Sequence, residues 1–165
     1  MALILLDKKY SMSWMEEEMA VAKFKMLRAK KEWIECPALW LKVKFEDKNF
    51  KHLTYKDWNH KRNGQEIKMR SLCFLSVDKI IKNSGTYQEY LLETKEVVIK
   101  KYGKKEKVLR KIEYFGLVAI VNTTTGRHRI RVVLVRKEWF SYAEYLSVMP
   151  ARKMKGYSNF MGDKI

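Results

Sequence analysis

A chain of 165 residues that is 47% hydrophobic and 13% aromatic, with only seven Gly and two Pro, carries enough apolar side chain for one domain with a core. That composition excludes a disordered chain. The 35 Lys+Arg against 19 Asp+Glu give a formal charge of +16, which favours phosphate backbones or anionic membrane surfaces as partners. Residues 1–35 hold seven basic and six acidic side chains, so nearly all of the surplus lies in residues 36–165.

Met1 to Leu6 is apolar, but the run stops at Asp7-Lys8-Lys9, too short for a membrane span or a signal-peptide core. The expectation is a soluble, cytoplasmic protein with no membrane partner. Residues 12–35 read as an amphipathic helix: Met15, Met19, Ala22, Met26, Ala29 and Trp33 recur at the spacing of one helical face. Ser11 or Ser13 suits its N-cap, Glu16 to Glu18 suit its positive end, and Cys36-Pro37 would end it. Its Met-rich face packs either on its own domain or on a partner protein, a second copy of the chain included.

Leu39 to Phe45 alternates apolar and basic residues, as a strand does. Asn49 to Lys56 reads as a turn into a short helix, and Asn63-Gly64 marks a loop. Gln65 to Asn83 reads as one helix stopped by Ser84-Gly85. Val97–Tyr102 and Lys107–Leu109 flank a turn at Gly103, and Lys111–Asn122, apolar on both faces, suits a central strand. An arginine-studded strand and a last strand, Glu144–Met149, complete an antiparallel meander. The predicted fold is α+β, N-terminal helices followed by a four- to five-stranded antiparallel sheet. Residues 1–36 would be a helical extension, 37–150 the main domain and 151–165 a basic tail.

The arginine strand is Arg127-His-Arg-Ile-Arg-Val-Val-Leu-Val135. Side chains alternate along a strand, so Arg127, Arg129 and Arg131 share one face while Ile130, Val132 and Leu134 share the other. The same parity in the last strand sends Leu146 and Val148 inward and Tyr145 and Ser147 towards the arginines, provided no bulge intervenes. Residues 95–111 hold eight basic and two acidic side chains, Lys100, Lys101, Lys104 and Lys105 among them, and read as a hairpin that either grips a phosphate backbone or serves only to keep the protein soluble. Cys36 and Cys73 make neither a disulfide framework nor a metal spacing, and no Walker or dinucleotide-binding loop is present, so neither metal nor cofactor is expected.

The succession of His52, Arg70 in a segment ending Val77-Asp-Lys-Ile-Ile-Lys-Asn83, Lys111-Ile-Glu-Tyr-Phe115, Arg129-Ile-Arg-Val-Val133 and Tyr145-Leu-Ser-Val148 resembles the phage-associated branch of the barnase–EndoU–colicin–RelE-like (PBECR) nucleases over roughly residues 39–150. The resemblance implies a small metal-independent ribonuclease, a toxin or phage effector with a barnase/RelE-like sheet. His52, Arg70, Arg131 and Ser147 would take the family's catalytic positions, with Lys56 and Arg62 as looser matches. His52 would move the proton of a ribose 2′-hydroxyl that attacks the adjacent phosphate. Arg70 and Arg131 would hold that phosphate, and Tyr145 or Ser147 would position it. RNA would be the substrate, and an acidic inhibitor protein, antitoxin or immunity-like, the expected partner. The rival expectation is an RNA- or DNA-binding protein without catalysis, its arginines on phosphates and its Tyr and Trp rings on bases. A protein-interaction module without nucleic acid is a third.

Overall fold

A computed structural model of the chain describes residues 2–5, 25, 28–56, 59–123 and 126–151. In order, the elements are strand β1 (Ala2–Leu5), a helical stretch at 28–32, strands β2 (Ile34–Cys36) and β3 (Leu41–Lys44), helix α1 (Asp47–Phe50) and a 3-10 turn (Lys51–Leu53). Helices α2 (Gly64–Phe74) and α3 (Val77–Asn83) follow, then four longer strands, β4 (Glu89–Lys101), β5 (Lys104–Thr123), β6 (Gly126–Lys137) and β7 (Ala143–Pro150).

The fold is α+β, but among the described residues the sheet is seven-stranded and mixed, not four- to five-stranded and antiparallel. Its order is β1-β5-β6-β7-β3-β2, with β4 also paired to β5. The added strands are short pieces whose sequences are too brief to show a period. β1 runs parallel to β5, from Ala2 opposite Ala119 to Leu5 opposite Asn122, and β3 runs parallel to β7, Val43 opposite Ala143. Residues 2–5 and 34–36 therefore belong to the same sheet as the rest of the chain.

Two helical expectations change. The first helix ends at Glu32, because Trp33 takes a left-handed backbone (φ 47°) while its amide still donates to the Ala29 carbonyl (3.0 Å). The chain then extends into β2, well before Pro37. Met15, Met19, Ala22 and Met26 of the face expected to pack on its own domain or on a partner lie outside the described residues. The long helix over 65–83 is two helices: the amides of Leu75 and Ser76 donate three residues back, to Leu72 and Cys73, which tightens the turn and breaks the axis. The stop at Ser84 holds, its hydroxyl donating to the Ile80 carbonyl at 2.6 Å. No helix among the described residues is long and apolar enough to cross a membrane.

Alternation along the strands makes two cores. Phe115, Leu117, Ala119 and Val121 of β5, with Ile130, Val132 and Leu134 of β6, face the helix layer and pack with Leu75, Val77, Ile80 and Ile81. On the opposite face, Ile112, Tyr114, Val133, Val135 and Leu146 form a second buried cluster. Cys73 and Cys36 are free, buried thiols. Burial pushes Cys73 up to about 12 and raises Cys36, so neither is a ready nucleophile.

One ion pair crosses three strands. Glu89 of β4 reaches over β5 to Arg131 of β6, taking Nε at 2.9 Å and Nη2 at 2.8 Å on one carboxylate oxygen. Gly116 lies beneath this bridge: a Cβ there would come within 2.8 Å of the Glu89 Cβ, so the crossing needs glycine. Both side chains are largely out of water, 14% exposed for Glu89 and 6% for Arg131. Removing one partner of a buried pair strands the other charge. Glu89→Ala is therefore expected to lower stability by about 3 kcal/mol in urea unfolding. Combining it with Arg131→Met should restore most of the loss; an unchanged midpoint for Glu89→Ala would show that the pair holds nothing together.

Candidate nucleic-acid interface

β6 accompanies β5 only as far as Ile112, which faces Lys137. Glu138 closes the shoulder, its amide donating to the Lys111 carbonyl (3.1 Å) and its carboxylate accepting from the Lys111 amide (3.0 Å). From Arg110 back to Lys104, β5 is paired with β4 alone among the described strands. The chain thus leaves the sheet as a two-stranded ribbon, from Lys95 opposite Arg110 to Lys101 opposite Lys104. At the rise of a strand this is about 23 Å long.

A two-residue turn closes the ribbon. Tyr102 (φ 49°) and Gly103 (φ 78°) are both left-handed, the geometry whose twist matches a hairpin. Glycine adopts it freely and tyrosine does not, yet Tyr102 occupies the first position with 95% of its surface exposed.

The register then sets like charges against each other: Lys95 opposite Arg110, Lys100 opposite Lys105, and Lys101 opposite Lys104. Directly opposed like charges destabilise a strand pair. Lys100, Lys101, Lys104 and Lys105 form no ion pair with any described residue, whereas Lys107 is held by Glu96 at 2.9 Å. Alternation places Lys100 and Lys105 on the face continuous with Phe115 and the helix layer, and Lys101 and Lys104 on the other. Among the described residues, the tip therefore carries cations without an ion pair on both faces.

An aromatic ladder begins one residue beyond the shoulder. Trp139, Phe140, Tyr142 and Trp33 follow one another at centroid distances of 5.6, 4.8 and 5.0 Å, with Phe140 and Tyr142 stacked. Lys44 lies over Trp33 and Tyr142 at 5.7 and 5.6 Å, and Lys137 lies over Phe140 at 5.4 Å. These lysines have carboxylate partners. Lys44 pairs with Glu46 at 3.1 Å, a hydrogen bond that raises the lysine and lowers the carboxyl, and Lys137 lies 3.8 Å from buried Glu144. β3 and β7 run parallel and both start at this end of the sheet, which brings Trp40 of the β2–β3 turn, 94% exposed and left-handed (φ 56°), to the same end. Sequence reading missed this ladder and Trp40. The signal for the ladder was the run Trp139-Phe-Ser-Tyr142, aromatic where a turn is ordinarily polar.

The residues assigned to catalysis do not converge. A bulge between Val133 and Leu134 sets Ser147 opposite Val133 but Tyr145 opposite Leu134, and this breaks the parity that placed them together. Tyr145 lies in the core beneath the helices, stacked on Phe45 at 5.0 Å and edge-on to Phe74 at 5.7 Å. Ser147 is fully buried on the other face. Arg131 is on that other face too, held by Glu89. His52 sits in the 3-10 turn of the helix layer, where its carbonyl accepts from Arg62 Nε at 3.0 Å. Arg62 is buried, and its amide also donates to the Thr54 carbonyl (2.8 Å), so it ties a loop together. Arg70 Nη1 donates to the Val148 carbonyl at 3.3 Å, beyond the point where β3 leaves the edge of β7. His52 and Arg70 thus lie on one side of the sheet, Arg131 and Ser147 on the other.

The open arginine platform is also corrected, because the centre of that face is the second apolar core. Arg127 is exposed and Arg129 half-buried, its carbonyl accepting from the Ala151 amide at 2.8 Å. Both lie at the end of β5 remote from the ribbon: Asn122, opposite Arg127, is about 55 Å along the strand from Lys105. Lys56 is exposed in the helix layer, its amide donating to the His60 carbonyl (2.8 Å). Among the described residues, no group of three or more His, Cys, Asp and Glu could hold a metal ion. No protein-family model, curated protein or solved structure matches the chain.

The opposed lysines carry a stability consequence. Lys104→Glu replaces a repulsion with a cross-strand ion pair and is expected to raise stability by a few tenths of a kcal/mol. Thermal melting at low salt would register the gain, and a fall in melting temperature would mean that the tip is under no such strain.

Proposed function

We propose that the protein binds nucleic acid, without cutting it, through the β4–β5 ribbon. The observation that carries this reading is the pair of lysine oppositions at the ribbon tip, Lys100 against Lys105 and Lys101 against Lys104, with no described carboxylate to balance them. Such an arrangement costs free energy in the isolated chain and is relieved by a polyanion. The exposed rings at the same end, Trp40, Trp139 and Tyr102, offer flat surfaces for bases. The arginine strand is not part of the proposal, because Arg131 is neutralised by Glu89 and the middle of its face is buried.

A ribonuclease of the resembling family would need His52, Arg70 and Arg131 at one phosphate, and the sheet stands between them. Two measurements separate the readings. Fluorescence anisotropy with labelled oligonucleotides should show binding whose salt slope falls by about two in Lys101→Glu/Lys104→Glu, since each lost phosphate contact removes about 0.9. Labelled RNA incubated with the protein in EDTA should stay intact. RNA cleavage that disappears in His52→Ala would overturn this reading in favour of the nuclease, and a salt slope unchanged by the double substitution would move the interface off the ribbon.

A further inference from the structure

We infer that the ribbon is shaped for the groove of a B-form DNA duplex, not for a single strand or an RNA helix. This rests on the nucleic-acid reading above and specifies its ligand.

Three observations point the same way. First, the tip lysines occupy both faces, Lys100 and Lys105 on one and Lys101 and Lys104 on the other. A single strand lying along a sheet engages one face and leaves the other pair of cations opposed and unrelieved. A duplex groove has a phosphate wall on each side, so an element entering it tip-first has both faces neutralised at once. Second, among the described strands the element is only two strands wide over its whole free length, and its two-residue turn adds no width at the leading end. The B-DNA major groove, about 12 Å across, admits a two-stranded ribbon. The major groove of A-form RNA is too deep and narrow for side chains to read, and its minor groove is a shallow surface that calls for breadth.

Third, Tyr102 leads the ribbon, its ring fully outside the protein and its backbone held left-handed beside Gly103. Asparagine is the residue that suits this position of the turn. A tyrosine there sacrifices turn stability and places an aromatic ring where it would meet the floor of the groove before any other side chain. Lysines act on phosphates as point charges and carry no base code, so the contact would follow groove shape more than sequence.

The test uses the whole chain and four labelled ligands of one sequence: DNA duplex, RNA duplex, and single-stranded DNA and RNA, each about 20 nucleotides per strand, roughly two turns of duplex. At physiological salt the DNA duplex should bind at least about tenfold more tightly than the other three. Lys100→Glu/Lys105→Glu and Lys101→Glu/Lys104→Glu should each reduce the duplex salt slope by about two. Tyr102→Asn, which keeps the turn by supplying Asn-Gly, should melt no lower than the parent chain and bind duplex several-fold more weakly. Equal or tighter binding of a single strand or the RNA duplex overturns this inference and leaves nucleic-acid binding standing. So does an effect confined to one lysine pair, which would mean contact along a single face. Binding to none of the four overturns both readings.

Discussion

Strand β5 is longer than anything that can lie beside it, and the shape of the protein depends on that mismatch. Its last residues, Ile112 to Thr123, are flanked by β6 on one edge and by β4 and then β1 on the other. They carry the apolar alternation that makes a core on each face. Among the described strands its first residues have β4 alone. Apolar side chains are still present there, Val108 and Leu109 opposite Val97 and Glu96, but the charge is too high to draw another strand alongside. The same continuous strand is thus a buried element at one end and an exposed arm at the other.

The anchoring of the arm follows from that arrangement. A hairpin attached only through its last rungs would hinge where the third strand ends. Here Glu138 bonds both polar groups of Lys111 at the shoulder, and further in Glu89 crosses Gly116 to Arg131, tying β4 to β6 over the top of β5. Arg131 looked from its strand position like the cation most available to phosphate. It is the one the fold uses as a fastener. Among the described residues the tip lysines have no ion pair, and there like charges oppose like and an aromatic residue occupies a glycine-type backbone. Local rules are broken there, and a functional site is where such a departure is expected.

Much of this was legible in the sequence. The α+β class, the turn at Gly103, the two-faced arginine strand and the stop at Ser84 all follow from alternation and turn chemistry. The lysine run was visible as charge, but its meaning depended on register, which sets which lysine opposes which. The rest was lost for identifiable reasons. Ala2–Leu5 is uniformly apolar and Ile34–Cys36 is three residues long, so neither shows a period. Leu146 is the extra residue of a bulge, and one such residue separates Tyr145 from Ser147 and with them the proposed catalytic pair. Arg131 could be placed on its face but not paired, because Glu89 lies two strands away across a glycine. The aromatic ladder is assembled from residues 33 and 139–142, distant in sequence and joined only by the sheet order.

The account stands on the ribbon tip being the surface that meets the polyanion. Lysine acylation footprinting of the intact protein, with and without a saturating DNA duplex, reads that surface directly. The account predicts that Lys100, Lys101, Lys104 and Lys105 are protected together while exposed lysines of the helix layer, Lys61 and Lys82, react as before. Protection in the helix layer with the tip lysines still reactive would contradict it.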